Sequence, residues 1–571
     1  MFLSIETFPL TSQGKSFILP CNLNMDPLIL QKKALYEKHD SNNRRPESAS
    51  IARLCYPKKT GLPMILSRFP DKAQFLALSR NHNVVPVCIR ILADTHTPVS
   101  ILKKCHSPET ECFLLESVEG AERWARYSFL GVRPHGTLQV FADHVKLETH
   151  KNTPEPRCRI LTHGNDPLAE IRTVIQGYRP APIPELPRFW TGLTGYITYE
   201  MVSFFENIPV SLPDGMPYSH FIIPEQMIIF DNVQQTMTCL QICYLDDTAD
   251  PDIAYAQACQ DLVQLVETVN APAREHPGKP SGPVDLNPLM PSDQFLAGVD
   301  TIKHYIREGD VFQAVFSQPF SCTTNVDPVR FYRAQRFINP SPYMFFMNFP
   351  GLVLAGSSPE TMVRLENRVA TLRPIAGTRP RGGTWQQDQA LADELLNDEK
   401  ERAEHVMLID LGRNDLGRVA EPGTVQVTDT MVIERYSHVM HLVSNITCDL
   451  KSDHDALDLF KAAFPAGTLT GAPKIRAMEI ISSLETQPRG IYGGAAGYIS
   501  FTGNMDFAIT IRTAVIQKNS LTVQAGAGIV HDSDPKTELS ECRNKAKSVD
   551  AALKLALFQT DLSTSFLEDT P

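Results

Sequence analysis

The stretch MIIFDNVQQTMTCLQICYL, residues 227–245, consists of two apolar segments separated by a short polar turn. Its isoleucine, threonine and aromatic side chains favour extended backbone. Two such segments joined by a few polar residues predict a pair of antiparallel strands. FLLESV (113–118) and TLQVFADHVKLET (137–149) have the same character. We therefore predict antiparallel sheets in this part of the chain.

Helical periodicity appears both before and after these strands. Phe75 begins a short helical pattern, and SDQFLAGVDTIKHYIREGDVF (292–312) places Phe295, Val299, Ile302 and Ile306 on one face of a helix. Further strands and long helices follow. The predicted fold class is α+β, with large antiparallel β-sheets and helices on their outer faces in one large body.

Composition excludes several classes of protein. The chain has 571 residues, of which 42% are hydrophobic and 21% are charged, as is ordinary for a globular protein. A formal net charge of −11 argues against general binding to polyanions. No apolar run is long enough to cross a bilayer, and the N-terminus lacks the features of a secretory signal. The twelve cysteines are scattered, so we expect reduced thiols in a cytoplasmic protein.

Proline-rich and polar segments suggest the domain boundaries. Residues 1–63 are predicted to be a poorly ordered extension, with Met64 nearer the functional start than Met1. The segment NAPAREHPGKPSGPVDLNPLMP (270–291) is the clearest linker. The resulting division is an N-terminal region at 64–270, a linker at 271–291, a catalytic region at 292–560 and a tail at 561–571.

The segment PIAGTRPRG (374–382) combines features of an anion site. Pro374 and Pro380 exclude a helix, so we predict a loop, and Gly377 permits close approach of the backbone to a ligand. Its backbone N–H groups, threonine hydroxyl and two guanidinium groups could bind an anion. A solvated basic turn explains the same residues equally well.

Two acidic clusters follow. In LADELLNDEKERAEHVMLIDLGRNDLGRV (391–419), predicted as one helix, Glu404 leads into the apolar segment VMLIDL, where a carboxylate needs a cation. Taken alone, a surface ion pair with Lys400 or Arg402 is the simpler explanation. In HDSDPKTELSECRNKAKSVDAALKLAL (531–557), Glu541 lies four residues before Lys545, as in an ordinary helix ion pair. The functional alternative is that Glu404 and Glu541 together hold a magnesium ion.

Glycines and a buried arginine provide further anion-binding elements. In LTVQAGAGIV (521–530), Gly526 and Gly528 follow a strand, but His531 occupies the place of the last glycine of a dinucleotide-binding motif. A Rossmann domain is therefore excluded. Arg512 ends a strand rich in isoleucine and alanine, so we expect a carboxylate partner for it.

Several long motifs, in order along the chain, carry a resemblance to a known family. They are PIAGTRPRG, DEKERAEHVMLIDLGRNDLGRV, YSHVMHLVS, GTLTGAPKIRAMEII, GGAAGYISF, QAGAGIVHDSDP and ECRNKA. The sequence from about Phe75 to the end of the last helix resembles the chorismate-utilising enzymes, specifically the anthranilate synthase component I family. The resemblance implies a single body of large antiparallel sheets packed as a sandwich and flanked by helices.

The resemblance also implies roles for individual residues. Glu404 and Glu541 match magnesium ligands, Glu360 matches the acid that protonates the departing ring hydroxyl, and His441 matches a histidine of the later pyruvate elimination. The positions that match chorismate contacts are Gly377, Thr378, Tyr492, Arg512, Gly526, Ala527, Gly528 and Lys545. Without the resemblance, His441 would be interpreted as a buried core residue.

Two positions separate this chain from related enzymes. Aminodeoxychorismate synthases resemble it but have a lysine in place of Ala376, and that lysine can attack the ring. Isochorismate and salicylate synthases have a lysine base in place of Gln313. Alanine cannot attack and glutamine cannot deprotonate water, so the resemblance implies that free ammonia is the nucleophile. Another chorismate-utilising enzyme remains the alternative, followed by a non-catalytic carboxylate-binding protein.

Regulation and partners also follow from the resemblance. Ser117 in FLLESVEG and Pro342, Tyr343 and Met344 in NPSPYMFF match a tryptophan-binding inhibitor site, although a turn before a buried strand explains the second motif equally well. No cysteine is flanked by glycines as in a glutaminase. The implied function is the large subunit of anthranilate synthase, feedback-inhibited by tryptophan. It would make anthranilate and pyruvate from chorismate and ammonia, within a heterodimer or heterotetramer with a glutamine amidotransferase subunit (component II).

Overall fold

The segments predicted as strands pair in antiparallel fashion. The computed structural model describes residues 64–117, 126–272, 284–436 and 439–558, and all of them fall within one compact unit. The strands are β1 (Ile65–Phe69), β2 (Val84–Leu92), β3 (Cys112–Glu116), β4 (Tyr127–Val140), β5 (His144–Thr149), β6 (Arg157–Thr162), β7 (Gly192–Ile197), β8 (Ser219–Asp231), β9 (Thr236–Tyr244), β10 (Asn287–Pro288), β11 (Gln313–Thr323), β12 (Tyr343–Phe349), β13 (Leu352–Ser358), β14 (Thr361–Glu366), β15 (Val369–Leu372), β16 (Ile375–Pro380), β17 (Gln426–Arg435), β18 (Val439–Asp449), β19 (Gly471–Ala472), β20 (Ala495–Ser500), β21 (Met505–Ile509), β22 (Thr513–Gln517) and β23 (Ser520–Ile529).

The helices lie outside these strands. They are α1 (Lys72–Leu78), α2 (Pro98–Cys105), α3 (Pro167–Gln176), α4 (Pro251–Asn270), α5 (Ser292–Arg307), α6 (Pro328–Ile338), α7 (Trp385–Asn397), α8 (Glu399–Gly417), α9 (Ala456–Ala463), α10 (Lys474–Leu484) and α11 (Pro535–Leu557), with short 3-10 helices at Tyr199–Phe204 and Gly467–Leu469. Among these described helices, none has the length and apolar character to span a membrane.

The strands form two arms that share β8. The first arm runs β1-β2-β9-β8-β4-β3-β12-β13-β22-β23-β11. The second arm leaves β8 as β7-β20-β21-β14-β15-β18, with β16 and β17 also paired to β18. β7 and β9 pair with opposite ends of β8, on either side of Pro224. Ile197 of β7 pairs with Ser219, and Gln241 of β9 pairs with Gln226. Proline interrupts the hydrogen-bond ladder where β8 passes from one arm to the other.

The two arms pack face to face, which confirms the predicted α+β sandwich. Phe129 of the first arm contacts Tyr498 of the second with ring centroids 6.3 Å apart, and Phe349 contacts Tyr196 at 5.4 Å. Aromatic contacts of this kind add to the burial of apolar surface. Helices α2, α4, α6 and α11 cover the outer face of the first arm, and α3 and α9 cover the second.

The helix predicted from 391 onward is in fact two helices. Asp398 ends α7, and its carboxylate accepts hydrogen bonds from the backbone N–H groups of Lys400 and Glu401 at 3.0 and 3.1 Å. An aspartate in this position caps the next helix, so a new axis direction begins with α8. In the second predicted helix, Asp534 caps α11 and Pro535 is its first residue, as expected.

Strands from before and after the proline-rich segment pair directly. β3 pairs with β12, and β7 pairs with β20, so the two predicted regions share one hydrogen-bonded network. The predicted extension at 1–63, the central part of the linker at 273–283 and the predicted tail at 561–571 lie outside the described residues.

Candidate active site

A cleft of about 980 Å³ lies where the far ends of the two arms face each other. β11 and β23 of the first arm and β16 and β18 of the second contribute its walls, and α8 and α11 close its sides. A smaller cavity of about 210 Å³ continues it inward. The two share several lining residues, among them Gly377, Thr378, His441, Arg512, Gly528 and Lys545. They therefore form one cleft with a narrow inner end.

The segment PIAGTRPRG is a strand and not the predicted loop. Among the described strands, β16 pairs only with β18, so it is an edge strand, where proline is tolerated at the ends. The register shifts between Ala376 and Thr378, because Gly377 forms a bulge with φ of 60°. A Cβ atom at Gly377 would lie 2.7 Å from Leu395 Cδ1. The glycine therefore places the Thr378 hydroxyl and this stretch of backbone at the cleft.

The arginines of the same segment face elsewhere. Arg379 Nε lies 2.9 Å from Glu394 and its Nη2 lies 2.8 Å from Asp398, and Arg381 Nε lies 2.6 Å from Asp388. Neither arginine lines the cleft. The prediction that their guanidinium groups bind an external anion is wrong, since acidic side chains on α7 and its end already neutralise them.

Glu404 and Glu541 line the same cleft from α8 and α11. Burial raises the pKa of Glu404, and the charges of Glu401 and Glu541 add to this effect, while a hydrogen bond from Gln313 opposes it. No lysine or arginine of the described residues forms an ion pair with Glu404, so the simpler surface-pair explanation fails. Glu541 does pair with Lys545 at 2.8 Å, as the helix spacing predicted.

This acidic pair fits a magnesium ion. A carboxylate that is removed from water and faces a second carboxylate across a cavity is stabilised when a divalent cation lies between the two. Among the described residues, no three histidine, cysteine, aspartate or glutamate side chains cluster as a complete ligand set. Magnesium commonly takes one or two carboxylates and completes its shell with water and ligand oxygens, so two glutamates suffice.

Glu360 lies at the inner end of the cleft, between β13 and β14. The hydroxyl of Thr468 donates a hydrogen bond to its Oε1 at 2.9 Å. Removal from water raises the pKa of Glu360 to about 7, although Thr468, Arg512 and Lys545 pull it down. A carboxyl group with this pKa holds a proton near neutral pH and can act as a general acid.

Arg512 lines both parts of the cleft. Desolvation lowers the pKa of its guanidinium, and the charge of Glu360 opposes this effect. Among the described residues, Glu360 is thus a carboxylate whose charge acts on Arg512, but none accepts a hydrogen bond from the guanidinium or forms an ion pair with it. A desolvated guanidinium without an internal acceptor is suited to a carboxylate ligand.

His441 is 6% exposed and faces the cleft from β18. Its Nδ1 lies 3.0 Å from the carbonyl oxygen of Gly377 and 3.1 Å from the Thr378 hydroxyl. Because a carbonyl can only accept, Nδ1 carries the proton and Nε2 is the free basic nitrogen. Burial lowers the pKa of the ring, so the neutral form is favoured.

The remaining predicted contacts separate into two groups. Gln313, Tyr492, Gly526, Gly528 and Lys545 line the cleft. A Cβ at Gly526 would lie 2.8 Å from the Tyr492 hydroxyl, so only glycine allows the ring to pack against β23. The Ala527 side chain, in contrast, is fully buried in the core beneath α5 and α11. Of Ala527, only the backbone remains for a ligand.

The predicted inhibitor residues meet in a separate cavity of about 70 Å³, which we call the inter-sheet cavity. Ser117, Pro342, Tyr343 and Met344 all line it. The two motifs come together because β3 and β12 pair, with Met344 opposite Glu116. The inter-sheet cavity lies between the two arms, since β20 and β21 of the second arm also line it.

Sequence reasoning missed several residues around both cavities. Thr468 donates a hydrogen bond to Glu360, and it belongs to the motif GTLTGAP, which was singled out in the sequence without a role being assigned to Thr468. Glu401 and Glu538 line the cleft beside the proposed magnesium ligands. Near the inter-sheet cavity, Glu116 accepts hydrogen bonds from Tyr332 and Arg336 at 2.7 and 3.0 Å. Partners so distant in sequence leave no local pattern.

Comparison with known proteins agrees with this geometry. The family described as chorismate binding enzyme matches residues 112–551. Anthranilate synthase component 1 from Acinetobacter calcoaceticus is 46% identical over 489 residues, which cover 83% of this chain and 96% of that protein. The protein of the same description from Acetivibrio thermocellus is 40% identical over 499 residues, covering 86% of this chain and 99% of the relative.

A solved structure gives the same result. The crystal structure of anthranilate synthase component I from Streptococcus pneumoniae TIGR4 superposes with a TM-score of 0.65 at 38% identity, covering 76% of this chain and 95% of that chain. With the family match and the two relatives, this shows that the chain belongs to the chorismate binding enzymes and, among them, to the anthranilate synthase component 1 family.

Proposed function

We propose that this chain is the synthase subunit of an anthranilate synthase. It would convert chorismate and ammonia to anthranilate, pyruvate and water, as a step of tryptophan biosynthesis. The observation that carries the proposal is the composition of the cleft: Ala376 and Gln313 face it where a lysine nucleophile or lysine base would lie in related enzymes. Side chains that could serve as the acid, hold the cation and bind the substrate carboxylates also line the cleft.

Chorismate is a dicarboxylate, and the cleft offers separate sites for its charges. Arg512 and Lys545 supply positive charge at the inner end, and the Thr378 hydroxyl supplies a donor beside them. Glu404 and Glu541 would hold magnesium, which supplies positive charge to a substrate carboxylate. Tyr492, Gly526 and Gly528 line the inner end of the cleft and would shield the substrate ring from water.

Glu360 would protonate the departing ring hydroxyl. Hydroxide is a poor leaving group, and a carboxyl group with a pKa of about 7 holds the required proton at neutral pH. Thr468 donates to Oε1, so the other oxygen of Glu360 is the one that carries the proton toward the substrate.

Ammonia would then form the new C–N bond. A lysine at position 376 would compete as a nucleophile, as in aminodeoxychorismate synthases, but the Ala376 side chain cannot react. Gln313 cannot deprotonate water, and it donates a hydrogen bond to Glu404 instead. These two positions favour amination by free ammonia over aminodeoxychorismate or isochorismate formation.

Elimination of pyruvate completes the reaction. The ring must lose a proton as the enolpyruvyl C–O bond breaks, and His441 Nε2 is the unprotonated nitrogen in the cleft. The Gly377 carbonyl fixes this tautomer by accepting from Nδ1. Loss of the proton and of the enolpyruvyl group makes the ring aromatic.

The source of ammonia and the control of activity complete the proposal. We infer that a glutamine amidotransferase subunit supplies ammonia, as the name component 1 of the relatives suggests, and that tryptophan inhibits by binding at the inter-sheet cavity. Within the chain, regions 64–270 and 292–560 would both contribute to the inhibitor site, through Ser117 and through Pro342, Tyr343 and Met344 respectively, and region 292–560 would contribute the catalytic cleft.

Product analysis of the isolated chain tests the function. With chorismate, magnesium and ammonium, we expect anthranilate and pyruvate in equal amounts. With glutamine in place of ammonium, we expect no product until the amidotransferase subunit is added. Isochorismate or aminodeoxychorismate as the released product, or glutamine-dependent synthesis by the chain alone, would contradict the proposal.

A further inference from the structure

The backbone of Arg512 has an unusual conformation. Arg512 follows β21 and has a φ of 49°, in the left-handed region that residues with a side chain rarely adopt. Such a conformation persists only where surrounding groups hold it, and it is concentrated at functional sites. The direction of the guanidinium depends on this backbone, so whatever holds the backbone also aims the side chain into the cleft.

Two donors fix the Arg512 carbonyl oxygen. The side-chain amide of Gln335 donates to it through Nε2 at 2.7 Å, and the backbone N–H of Ser357 donates at 3.2 Å. Gln335 is fully buried on α6 and does not line the cleft. Its Oε1 has no hydrogen-bond partner among the described residues. Among the described residues, the side-chain amide of Gln335 therefore makes one hydrogen bond, the one to the Arg512 carbonyl oxygen.

A buried amide with one unsatisfied atom is unfavourable for stability. A methionine of similar length would fill the same space without leaving a polar atom unsatisfied. The presence of glutamine is therefore best explained by what its Nε2 does for Arg512, and not by packing.

Helix α6 is itself held firmly, so the donor has a fixed position. Asp327 caps its first turn through the backbone N–H of Arg330 at 2.7 Å. Tyr332 and Arg336 bind Glu116 of β3, and after the helix the Asn339 amide donates to the Ser548 carbonyl of α11 at 3.1 Å. The helix is thus fastened to the first arm and to α11.

We propose that Gln335 is a positioning residue for Arg512. By fixing the carbonyl oxygen, it keeps the backbone in the left-handed conformation and directs the guanidinium to a substrate carboxylate. This inference rests on the proposed function for the identity of the ligand. It assigns no contact between Gln335 and the substrate.

The test compares Gln335→Met with wild type in chorismate affinity and ammonium-dependent turnover. Loss of one buried hydrogen bond should weaken chorismate binding by about three- to ten-fold, with KM affected more than kcat. Gln318→Met is the matched control, because Gln318 is also fully buried and its amide has no partner among the described residues. It should bind chorismate as wild type does.

Gln335→Glu provides a rescue. Burial should keep the new carboxyl group protonated, so its O–H can donate to the Arg512 carbonyl in place of the amide. Affinity for chorismate should therefore be recovered at low pH and decrease as the pH rises. Equal weakening by the methionine and protonated glutamate variants would contradict the proposal.

A double-mutant cycle separates positioning from general destabilisation. If Gln335 acts through Arg512, then Gln335→Met should have no further effect on chorismate affinity in an Arg512→Ala background. Additive losses would overturn the proposal. Binding measured by calorimetry keeps this test independent of turnover. If wild type binds chorismate but makes no anthranilate, the proposed function fails while the positioning role is still tested.

Discussion

The catalytic cleft and the inter-sheet cavity differ in how their charges are satisfied. In the cleft, the Arg512 guanidinium has no acceptor among the described residues, and burial, together with acidic neighbours, raises the pKa of Glu404. In the inter-sheet cavity, Asp506 accepts from Tyr343 at 2.9 Å and from Arg188 at 3.1 Å. The cleft is therefore prepared for a charged ligand. A ligand of the inter-sheet cavity must rearrange bonds that already exist.

This difference fits the proposal that the cleft performs the chemistry and that the inter-sheet cavity regulates it. A ligand that replaces existing contacts has different affinities for the conformations before and after the replacement, and such a difference is what shifts a conformational equilibrium. The contacts of the inter-sheet cavity also lead toward the cleft, because the hydroxyl of Thr361, the residue after Glu360, donates to the Tyr343 oxygen at 3.0 Å.

The largest expected effect is on the acidic pair of the cleft. Replacing Glu404 or Glu541 with glutamine removes a proposed magnesium ligand, so turnover should fall by more than about 100-fold, beyond the loss caused by an outer-shell partner. Circular dichroism should show an intact fold. Glu399→Gln is the control, because Glu399 lies on α8 like Glu404 but does not line the cleft. Near-normal activity of either variant at ordinary magnesium concentration would refute the assignment.

The second prediction concerns Glu360 and pH. Glu360→Gln should lower kcat by about 10²- to 10⁴-fold, since the general acid is lost. In wild type the acid form is present below about pH 7 and is lost as the pH rises through that value. At a constant concentration of free ammonia, the rate should therefore fall above about pH 7.

The profile at constant total ammonium sharpens this test. Free ammonia increases with pH while protonated Glu360 decreases, so the rate should rise and then level off near pH 7. Thr468→Val removes a hydrogen bond that lowers the pKa of Glu360. The falling limb at constant free ammonia should then move to higher pH. If the falling limb of the pH–rate profile stays at the same pH in Thr468→Val, then Glu360 is not the group that titrates there.

The third prediction moves to the inter-sheet cavity. Ser117→Phe places a ring in the space proposed for tryptophan, so the inhibition constant should rise by more than about ten-fold, equivalent to 1.4 kcal/mol. Ser117 does not line the cleft, so turnover without tryptophan should stay close to wild type. Equal inhibition of wild type and variant by tryptophan would place the inhibitor site elsewhere.

The smallest expected effect tests the connection between the two cavities. Arg336→Met removes one of two side chains that join α6 to Glu116, so tryptophan should still bind while its effect on chorismate affinity decreases by about two- to five-fold. Arg333→Met, on the exposed side of α6, is the control. Because coupling is reciprocal, chorismate should alter tryptophan affinity by the same reduced factor. Unchanged coupling in Arg336→Met would exclude this route.

Local patterns predicted much of the fold. Phe295, Val299 and Ile302 are fully buried on one face of α5, as their spacing indicated. The edge strand β16 was missed because proline was taken as evidence for a loop, although an edge strand tolerates it where its N–H is not needed. The break between α7 and α8 depends on one capping aspartate, which a long run of helix-favouring residues concealed.

The site was less accessible to sequence reasoning than the fold. The acidic and glycine-rich motifs drew attention to Glu404, Glu541 and Gly526. For the two glutamates, however, the local context alone favoured ordinary ion pairs, and their role as a pair rested on the family resemblance. The support behind Arg512 was invisible, since Gln335 lies 177 positions earlier in the chain and glutamine in a helix has no characteristic pattern. Neutralisation of Arg379 by Glu394 depends likewise on the angle between β16 and α7.

Pro342 lines both the cleft and the inter-sheet cavity. Pro342 is thus a wall residue common to both cavities. The pyrrolidine ring fixes its φ angle, so less local rotation is available at Pro342, and a ligand that displaces this residue would move the neighbouring backbone with it. A ligand bound in the inter-sheet cavity would in this way change the volume of the cleft, and a ligand in the cleft would change the volume of the inter-sheet cavity, even without any contact between the two ligands.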